Sequence, residues 1–207
     1  GGATFSTGLA YPAYKAQYLA SNVVGNVTLN LPPGAVPGDL AVTFVQANAT
    51  SQTPIAPAGW TVARTWIDPV NSKHGIWFRV IQPGDSGGWT WTYSPGTNRS
   101  NGVMLLFSSG SSVDSGPTPT PGTGTIAVAP SYTPGTWRNL LSVFTSNATS
   151  GGYTINAPAI TLASTISAAG VFAIGSDIHQ GSGPTGARSA TRATVSTWTA
   201  GLFGLAK

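Results

Sequence analysis

The sequence predicts an all-β protein, specifically a jelly-roll-like antiparallel β-sandwich. Charged residues make up only 7% of the 207 residues, so surface helices would lack the Glu, Lys, Gln and Arg that their wet faces require. Hydrophobic residues make up 41%, which is enough to bury a core and offset the loss of chain entropy. Short apolar segments bounded by Gly, Pro, Asn, Asp or Ser recur along the chain, as the strands of a sandwich do.

Several segments of the first half have the composition and alternation of strands. The clearest is Trp89–Tyr93, where the order Trp-Thr-Trp-Thr-Tyr puts the three aromatic rings on one face and the threonines on the other. The predicted strands are Val27–Leu31, Leu40–Val45, Gly59–Ile67, Gly75–Ile81, Trp89–Tyr93 and Gly102–Phe107. Residues 1–21 have no clear strand period, and two interpretations stay open: an N-terminal arm that orders on a partner, or a first strand with a frayed tail.

Matching segments predict a two-fold pseudo-repeat with an offset of about 100 residues; the alternative is that strands rich in Ala, Thr and Val resemble one another by composition alone. The matching segments are Asp39–Phe44 with Asn139–Phe144, Gly75–Phe78 with Gly170–Ala173, and Gly102–Phe107 with Ala200–Leu205. Between the halves, 22–113 and 124–207, the alternating prolines of Asp114–Gly124 predict a semi-rigid linker. The halves form either two tandem sandwiches or one sandwich of about a dozen strands. The small residues of the second half would give it a thin core, which favours a single domain over 22–207.

Charge and composition exclude several function classes. Nine Lys and Arg residues and five Asp residues give a net charge of +4, but the cations are scattered. Binding to a phosphate backbone needs a dense basic patch, so we expect no nucleic-acid partner. No apolar stretch approaches the ~18 residues of a membrane-spanning helix. The absence of cysteine excludes a disulfide framework and a Cys-based zinc site, and we expect no cofactor and no metal.

One short motif suggests catalysis. The string Gly84–Gly88 (Gly-Asp-Ser-Gly-Gly) resembles the segment around the nucleophilic serine of trypsin-like proteases, and it also matches the Gly-x-Ser-x-Gly pattern of α/β-hydrolases. Such a serine needs a base within hydrogen-bond reach, whereas the only upstream histidine, His74, lies twelve residues before Ser86. A predicted strand follows Ser86 where a hydrolase needs a helix. We therefore expect a polar turn, no catalytic residues and no enzymatic activity.

Five residues remain as candidate contacts for a glycan or a protein partner: Trp66, Trp89, Trp91, Asp177 and His179. Exposed tryptophans can stack on sugar rings, although such residues more often fill the core of a sandwich. Asp177 and His179 are two residues apart and would share one face of a strand. A divalent ion needs three or four ligands, and few are present, so an exposed ion pair at a loop mouth is favoured over a metal or acid–base site.

A set of turn and strand motifs resembles a known family. The set comprises Leu31–Leu40 (Leu-Pro-Pro-Gly-Ala-Val-Pro-Gly-Asp-Leu), Pro57–Thr61, Gln82–Asp85, Trp89–Trp91 and Phe107–Gly110. Together they resemble a β-sandwich module of tailed-phage, prophage and gene-transfer-agent structural proteins: head decoration proteins, head spikes and fibres. The similarity covers about Val27–Gly110 well and the second half weakly. The resemblance implies a sandwich fold, and the family carries no catalytic residues to transfer to this chain.

The resemblance implies a non-enzymatic virion structural protein. As a capsid decoration, head-spike or fibre component, it would bind the major capsid protein or another virion protein on the outside of a phage-like shell, and would act as a homo-oligomer. A surface of Thr, Ser, Gly and Ala has a small desolvation cost when neighbouring subunits cover it, which agrees with this role. The alternative is a carbohydrate-binding module of a phage fibre or bacterial surface protein, which would bind a host surface glycan through exposed Trp and loop Asp or Asn.

Overall fold

A computed structural model describes residues 12–48, 53–69, 72–93, 99–134, 138–179 and 183–207. The regular elements of these ranges are all strands, and their pairings are antiparallel, which confirms the predicted antiparallel β-sandwich. None of the described ranges contains a helix that could span a membrane. The strands are β1 (Tyr14–Val24), β2 (Val27–Asn30), β3 (Leu40–Asn48), β4 (Thr61–Ile67), β5 (Lys73–Val80), β6 (Gly88–Trp91), β7 (Arg99–Phe107), β8 (Ser112–Asp114), β9 (Thr120–Ala129), β10 (Arg138–Ser146), β11 (Tyr153–Ile155), β12 (Ile160–Ser167), β13 (Gly170–His179) and β14 (Arg188–Ala206).

The six strands predicted in the first half all form, as β2 to β7. The linker prediction is wrong for most of its length, because β8 ends at Asp114 and β9 begins at Thr120. The backbone of β9 pairs with β14, so β9 belongs to a sheet although it contains a proline. At the other end of the first half, β1 pairs with β7, which favours the first-strand interpretation for residues 14–21. Residues 1–11 lie outside the described ranges.

The two halves of the chain build two sheets with the same strand order. In the first sheet the order is β1-β7-β3-β5-β4. In the second sheet the order is β11-β14-β10-β13-β12, and β9 also pairs with β14, so that β9-β14-β10-β13-β12 follows the path of the first sheet. Both edge hairpins also carry a register shift at the same place, between Val62 and Arg64 in β4 and between Thr161 and Ala163 in β12. The shared order and the shared irregularity establish the pseudo-repeat at the level of topology.

Aligning the two register shifts matches the halves residue by residue. The match of Gly102–Phe107 with Ala200–Leu205 is confirmed, because Gly102 and Ala200 occupy corresponding pairs with β3 and β10. The other two matches are shifted. Trp66 and Thr165 occupy matching positions, and each has a partner on the neighbouring strand. Gly75 and Ala173 follow those partners by one residue, so Gly75 corresponds to Ala173 and not to Gly170. Sequence similarity among small residues was too weak to fix this register.

The core has three parts, so neither predicted arrangement, two tandem sandwiches or one single sandwich, describes it fully. The central core lies between the two sheets and contains large side chains from both. A first outer core lies on the other face of the first sheet, beneath the two-stranded sheet of β2 and β6. A second outer core lies on the other face of the second sheet, beneath β9, β11 and the first part of β14. Each half is thus a small sandwich, and the two small sandwiches share a larger core.

A buried polar network also joins the halves. The Asn101 side-chain amide donates to Gln46 Oε1 and to the Gly170 carbonyl, both at 3.2 Å, while Ser167 Oγ donates to Asn101 Oδ1 at 2.8 Å. The Gln46 amide donates to the Ser146 carbonyl at 3.3 Å. Because Asn101 and Gln46 are fully buried, these bonds fix the position of one sheet relative to the other.

Candidate functional site

Two of the five candidate contact residues are core residues. Trp91 is 0% exposed in the first outer core, where its ring packs against Trp60 and Trp77. Trp66 is 9% exposed in the central core and stacks on His74 and Phe203. Neither ring offers a face to solvent, so stacking on a sugar does not fit their burial. The alternation of β6 was predicted correctly, but it could not tell an inward face from an outward one.

Trp89 is the candidate ring that stays half-buried. Trp60 meets it edge-on with the ring centroids 5.4 Å apart, and the Arg79 guanidinium lies 5.6 Å from its centroid. On the opposite face of β6, the hydroxyl group of Thr90 is hydrogen-bonded to that of Thr28 in β2 at 2.8 Å. The surface at Trp89 therefore combines one partly exposed indole with a guanidinium, and both kinds of group contact sugars.

The Gly84–Gly88 segment is a turn, as predicted. Gly84 and Gly87 have φ angles of 89° and 75°, a region that favours glycine, and Ser86 is exposed between them. Asp85 accepts hydrogen bonds from Arg79 Nε at 3.0 Å and Nη2 at 2.7 Å, and from the Gln82 amide at 2.8 Å. The Arg79 hydrogen bond is the main cause that lowers the pKa of the Asp85 carboxyl. The segment is built to close the β5–β6 connection.

The upstream histidine that was considered as a base for Ser86 makes its contacts in the central core. His74 is fully buried in the central core, where its Nε2 is 3.2 Å from Asp68 Oδ2. Burial lowers the pKa of His74, against the opposing effect of Asp68. The imidazole therefore faces the interior of the sandwich, whereas Ser86 is on its surface.

Asp177 and His179 do not pair with each other. Asp177 Oδ2 accepts hydrogen bonds from Arg188 Nε at 2.8 Å and Nη2 at 2.5 Å, and His179 Nε2 donates to the Gly183 carbonyl at 2.9 Å. The predicted exposed ion pair of Asp177 with His179 is wrong: Asp177 pairs with Arg188 instead, and that pair is buried, with side chains 8% and 6% exposed. Arg188 also donates to the Thr185 carbonyl at 2.7 Å, so the pair fastens the loop before β14. Within the described ranges, no three His, Cys, Asp or Glu residues are grouped as a metal site would require.

An apolar groove of about 460 Å³ lies between the start of β1 and the edge of the second sheet. Its rim carries three exposed large side chains, Tyr14 (38% exposed), Ile160 (66%) and Ile178 (51%). At its base the Asn139 amide donates to the Pro12 carbonyl at 2.9 Å, and Asn139 accepts from Ser176 at 2.5 Å. The full lining is Pro12, Ala13, Tyr14, Asn139, Pro158, Ile160, Leu162, Ser176, Asp177 and Ile178.

The pseudo-repeat places a second, smaller groove of about 270 Å³ at the matching position of the first half. In the residue alignment Thr61 replaces Ile160 and Arg79 replaces Asp177. The smaller groove of the first half is therefore more polar and lies beside a guanidinium, while the larger groove of the second half is apolar. The two halves have the same scaffold and differ in the chemistry of this surface.

Sequence reasoning missed both grooves and the role of His74. The apolar groove joins residues 12–14 to residues 158–178, which lie in different strands and different halves. The only local signal was the strand pattern of β12, where Ile160 and Ile166 stand among small polar residues without any charge.

Comparison of the chain with family models, with curated proteins and with solved structures found no match, so the resemblance to phage structural modules rests on the motifs in its turns and strands.

Proposed function

We propose that this chain is a non-enzymatic structural protein of a virion, a capsid decoration or a head-spike or fibre component that binds the outside of a phage-like shell. The observation that carries the proposal is the apolar groove rimmed by Tyr14, Ile160 and Ile178, in a surface with few charges. An exposed apolar patch rimmed by polar groups is typical of protein–protein contact. The groove supports docking of a partner protein.

The rigid scaffold around the groove supports a structural role. The two sheets share a central core and a buried polar network, so the groove and its counterpart are held at fixed positions. Rigid docking needs little ordering of the chain when the partner binds, which lowers the entropic cost of each contact. Repeated weak contacts of this kind suit a lattice of identical subunits or a shell protein, and support a homo-oligomer.

Purified particles from the host that carries the gene test the proposal. We expect mass spectrometry to find this chain at a fixed stoichiometry to the major capsid protein. Particles that contain the shell protein but consistently lack this chain would rule the proposal out.

A pair of variants tests the docking surface. Ile160→Asp together with Ile178→Asp places two charges at the apolar groove, and we expect it to reduce cosedimentation with stripped particles at least about tenfold, since each buried charge opposes binding. Val195→Asp is the matched control, because Val195 is 69% exposed and does not line the groove. Equal cosedimentation of both variants would exclude the groove as the docking surface.

The second candidate function is glycan binding by a fibre or surface module. It is favoured by Trp89, whose half-buried indole lies beside the guanidinium of the Arg79–Asp85 pair. Binding on a glycan array that is lost in Trp89→Ala would support this function. Retention of the same binding by that variant would exclude Trp89 as the contact.

A further inference from the structure

His74 lies at the centre of a series of aromatic rings that joins the two sheets. Its ring is stacked on Phe44 and Trp66, with centroids 6.0 and 5.2 Å apart and interplanar angles of 16° in both cases. Phe44 in turn contacts Phe172 at 5.0 Å, and Trp66 contacts Phe203 at 6.1 Å, both in the second sheet. The residue alignment of the two halves puts His74 at the position of Phe172. A titratable ring therefore occupies a place that the other half fills with a hydrocarbon ring.

The hydrogen bonds of His74 fit the neutral imidazole. Its Nε2 lies 3.2 Å from Asp68 Oδ2, so the proton on Nε2 is donated to the carboxylate. Its Nδ1 is buried and has no hydrogen-bond partner among the described residues. A second proton on Nδ1 would bury an N–H donor without an acceptor, together with a positive charge.

Asp68 links His74 to the β4–β5 connection. Asp68 Oδ1 accepts the Ser72 amide at 2.8 Å, and the Asp68 amide donates to the Ser72 carbonyl at 3.0 Å. A change in the charge of His74 therefore acts on the bond that closes this hairpin, as well as on the stacked rings.

Few other titratable groups surround the pair in the part of the chain that the structure describes. Lys73 precedes His74 on β5, and successive residues of a strand point to opposite faces. Beyond Asp68, the second half contributes Tyr153 from β11; burial raises the pKa of Tyr153 to about 12, and the Asp68 charge adds to that rise. From β3 and β4 the contacts of His74 are the uncharged rings of Phe44 and Trp66, and Phe203 of β14 contacts Trp66. Burial is the main cause that lowers the pKa of His74.

We propose that His74 makes the joint between the two sheets sensitive to acid: in mildly acidic solution its protonation, once β4 and β5 have opened away from the second sheet, favours the opened state over the packed one. This inference does not depend on the proposed virion role. In that role, it would make the docking scaffold loosen in acidic surroundings and stay rigid at neutral pH.

The direction of the pH effect follows from the neutral folded state. The unfolded chain protonates His74 near its ordinary pKa of about 6.5, whereas the folded chain resists protonation. Stability is therefore complete above that pH and is lost as the pH falls below it. For one histidine, the folded-to-unfolded ratio falls at most about 25-fold between about pH 7 and about pH 5, the limit reached when the folded chain takes up no proton at His74.

Urea unfolding at about pH 7 and about pH 5 tests the proposal with two variants. His74→Phe copies the residue that the second sheet has at this position, and we expect it to lose most of the pH dependence. His179→Gln is the matched control, since His179 bonds to a loop carbonyl in an exposed position, and we expect it to keep the wild-type dependence. Equal pH dependence in the wild type and His74→Phe would overturn the proposal.

A measurement on the wild-type protein covers the case in which His74→Phe does not fold. We expect the NMR signals of the His74 ring to stay those of neutral imidazole as the folded protein is taken from about pH 8 to about pH 5. In the same range, hydrogen-exchange protection of β4 and β5 should fall towards acid more than that of β10 and β14. The proposal would be refuted by a His74 ring that titrates near pH 6.5 or above in the folded protein. Unchanged protection of β4 and β5 would also refute the proposal.

Discussion

At the scale of single residues, the scarce charges of this protein serve the fold. Asp39 accepts hydrogen bonds from Lys15 Nζ at 2.6 Å and from the Val36 amide at 2.9 Å, at the turn that leads into β3. Asp85 fastens the β5–β6 turn in the same way, and Asp177 fastens the loop before β14 through Arg188. The sequence indicated that the charges are few and scattered. Asp39, Asp85 and Asp177 are each half of a short ion pair, and at Asp39 and Asp85 a backbone amide of the turn is a second partner.

The first prediction concerns the Arg79–Asp85 pair. We expect Asp85→Asn to lower the free energy of unfolding by about 1 kcal/mol at neutral pH, a small value because the pair is partly solvated and screened. The pKa of Asp85 is lowered in the folded state, so its contribution is present above the unfolded pKa of about 3.9 and is lost as the pH falls below it. Urea unfolding of both proteins should therefore converge in strong acid.

Asp114→Asn is the control for this prediction. Asp114 bonds to the Gly116 amide at 3.3 Å and makes no ion pair with the described residues. We expect a smaller loss of stability. A difference between wild type and Asp85→Asn that persists unchanged below the titration of Asp85 would contradict the role of its charge.

At the scale of elements, large and small residues are matched across neighbouring strands. Gly122 in β9 is paired with Trp198 in β14, and a Cβ atom at Gly122 would come within 2.3 Å of the Trp198 ring. The indole covers the backbone of the neighbouring strand, which explains how a strand with two glycines and a proline joins the sheet. Composition alone had predicted a linker here, because the compensating tryptophan is far away in sequence.

The second prediction tests this contact. We expect Gly122→Ala to displace Trp198 from the edge of the second outer core and to lower the free energy of unfolding by about 1–3 kcal/mol. Gly183→Ala is the matched control, because its Cβ atom would meet nothing within 4 Å and its φ angle is not positive, so it should be close to neutral. Urea unfolding followed by tryptophan fluorescence measures both. Equal stabilities of the two variants would show that the Gly122–Trp198 contact is loose.

At the scale of the whole molecule, two small sandwiches behave as one because they share a core and a polar network. The third prediction is that Asn101→Ala lowers the free energy of unfolding by about 2–4 kcal/mol, since it leaves buried groups of Gln46 and Gly170 without their partner. Thermal unfolding by circular dichroism and by fluorescence should give coincident transitions in the wild type.

Asn156→Ala is the control, because the Asn156 amide bonds within the second half, to Ser189 at 3.0 Å and Thr191 at 3.1 Å. We expect this variant to lower the free energy of unfolding by about 1 kcal/mol, since its bonds are partly exposed. Similar losses in both variants would indicate that the network between the halves adds nothing specific.

Local patterns in the sequence determined the strands, the turns and the existence of a repeat, because alternation and turn-forming residues act over a few neighbours. The tertiary structure decided which core each apolar face meets and how far along β6 that core extends, so that Trp91 is buried while Trp89 on the same face remains half-buried. It also decided that Tyr14 and Ile160 form one groove and that His74 lies between the sheets. These features join residues from distant strands, and in a chain with two similar halves only the packing of one sheet on the other selects the partners.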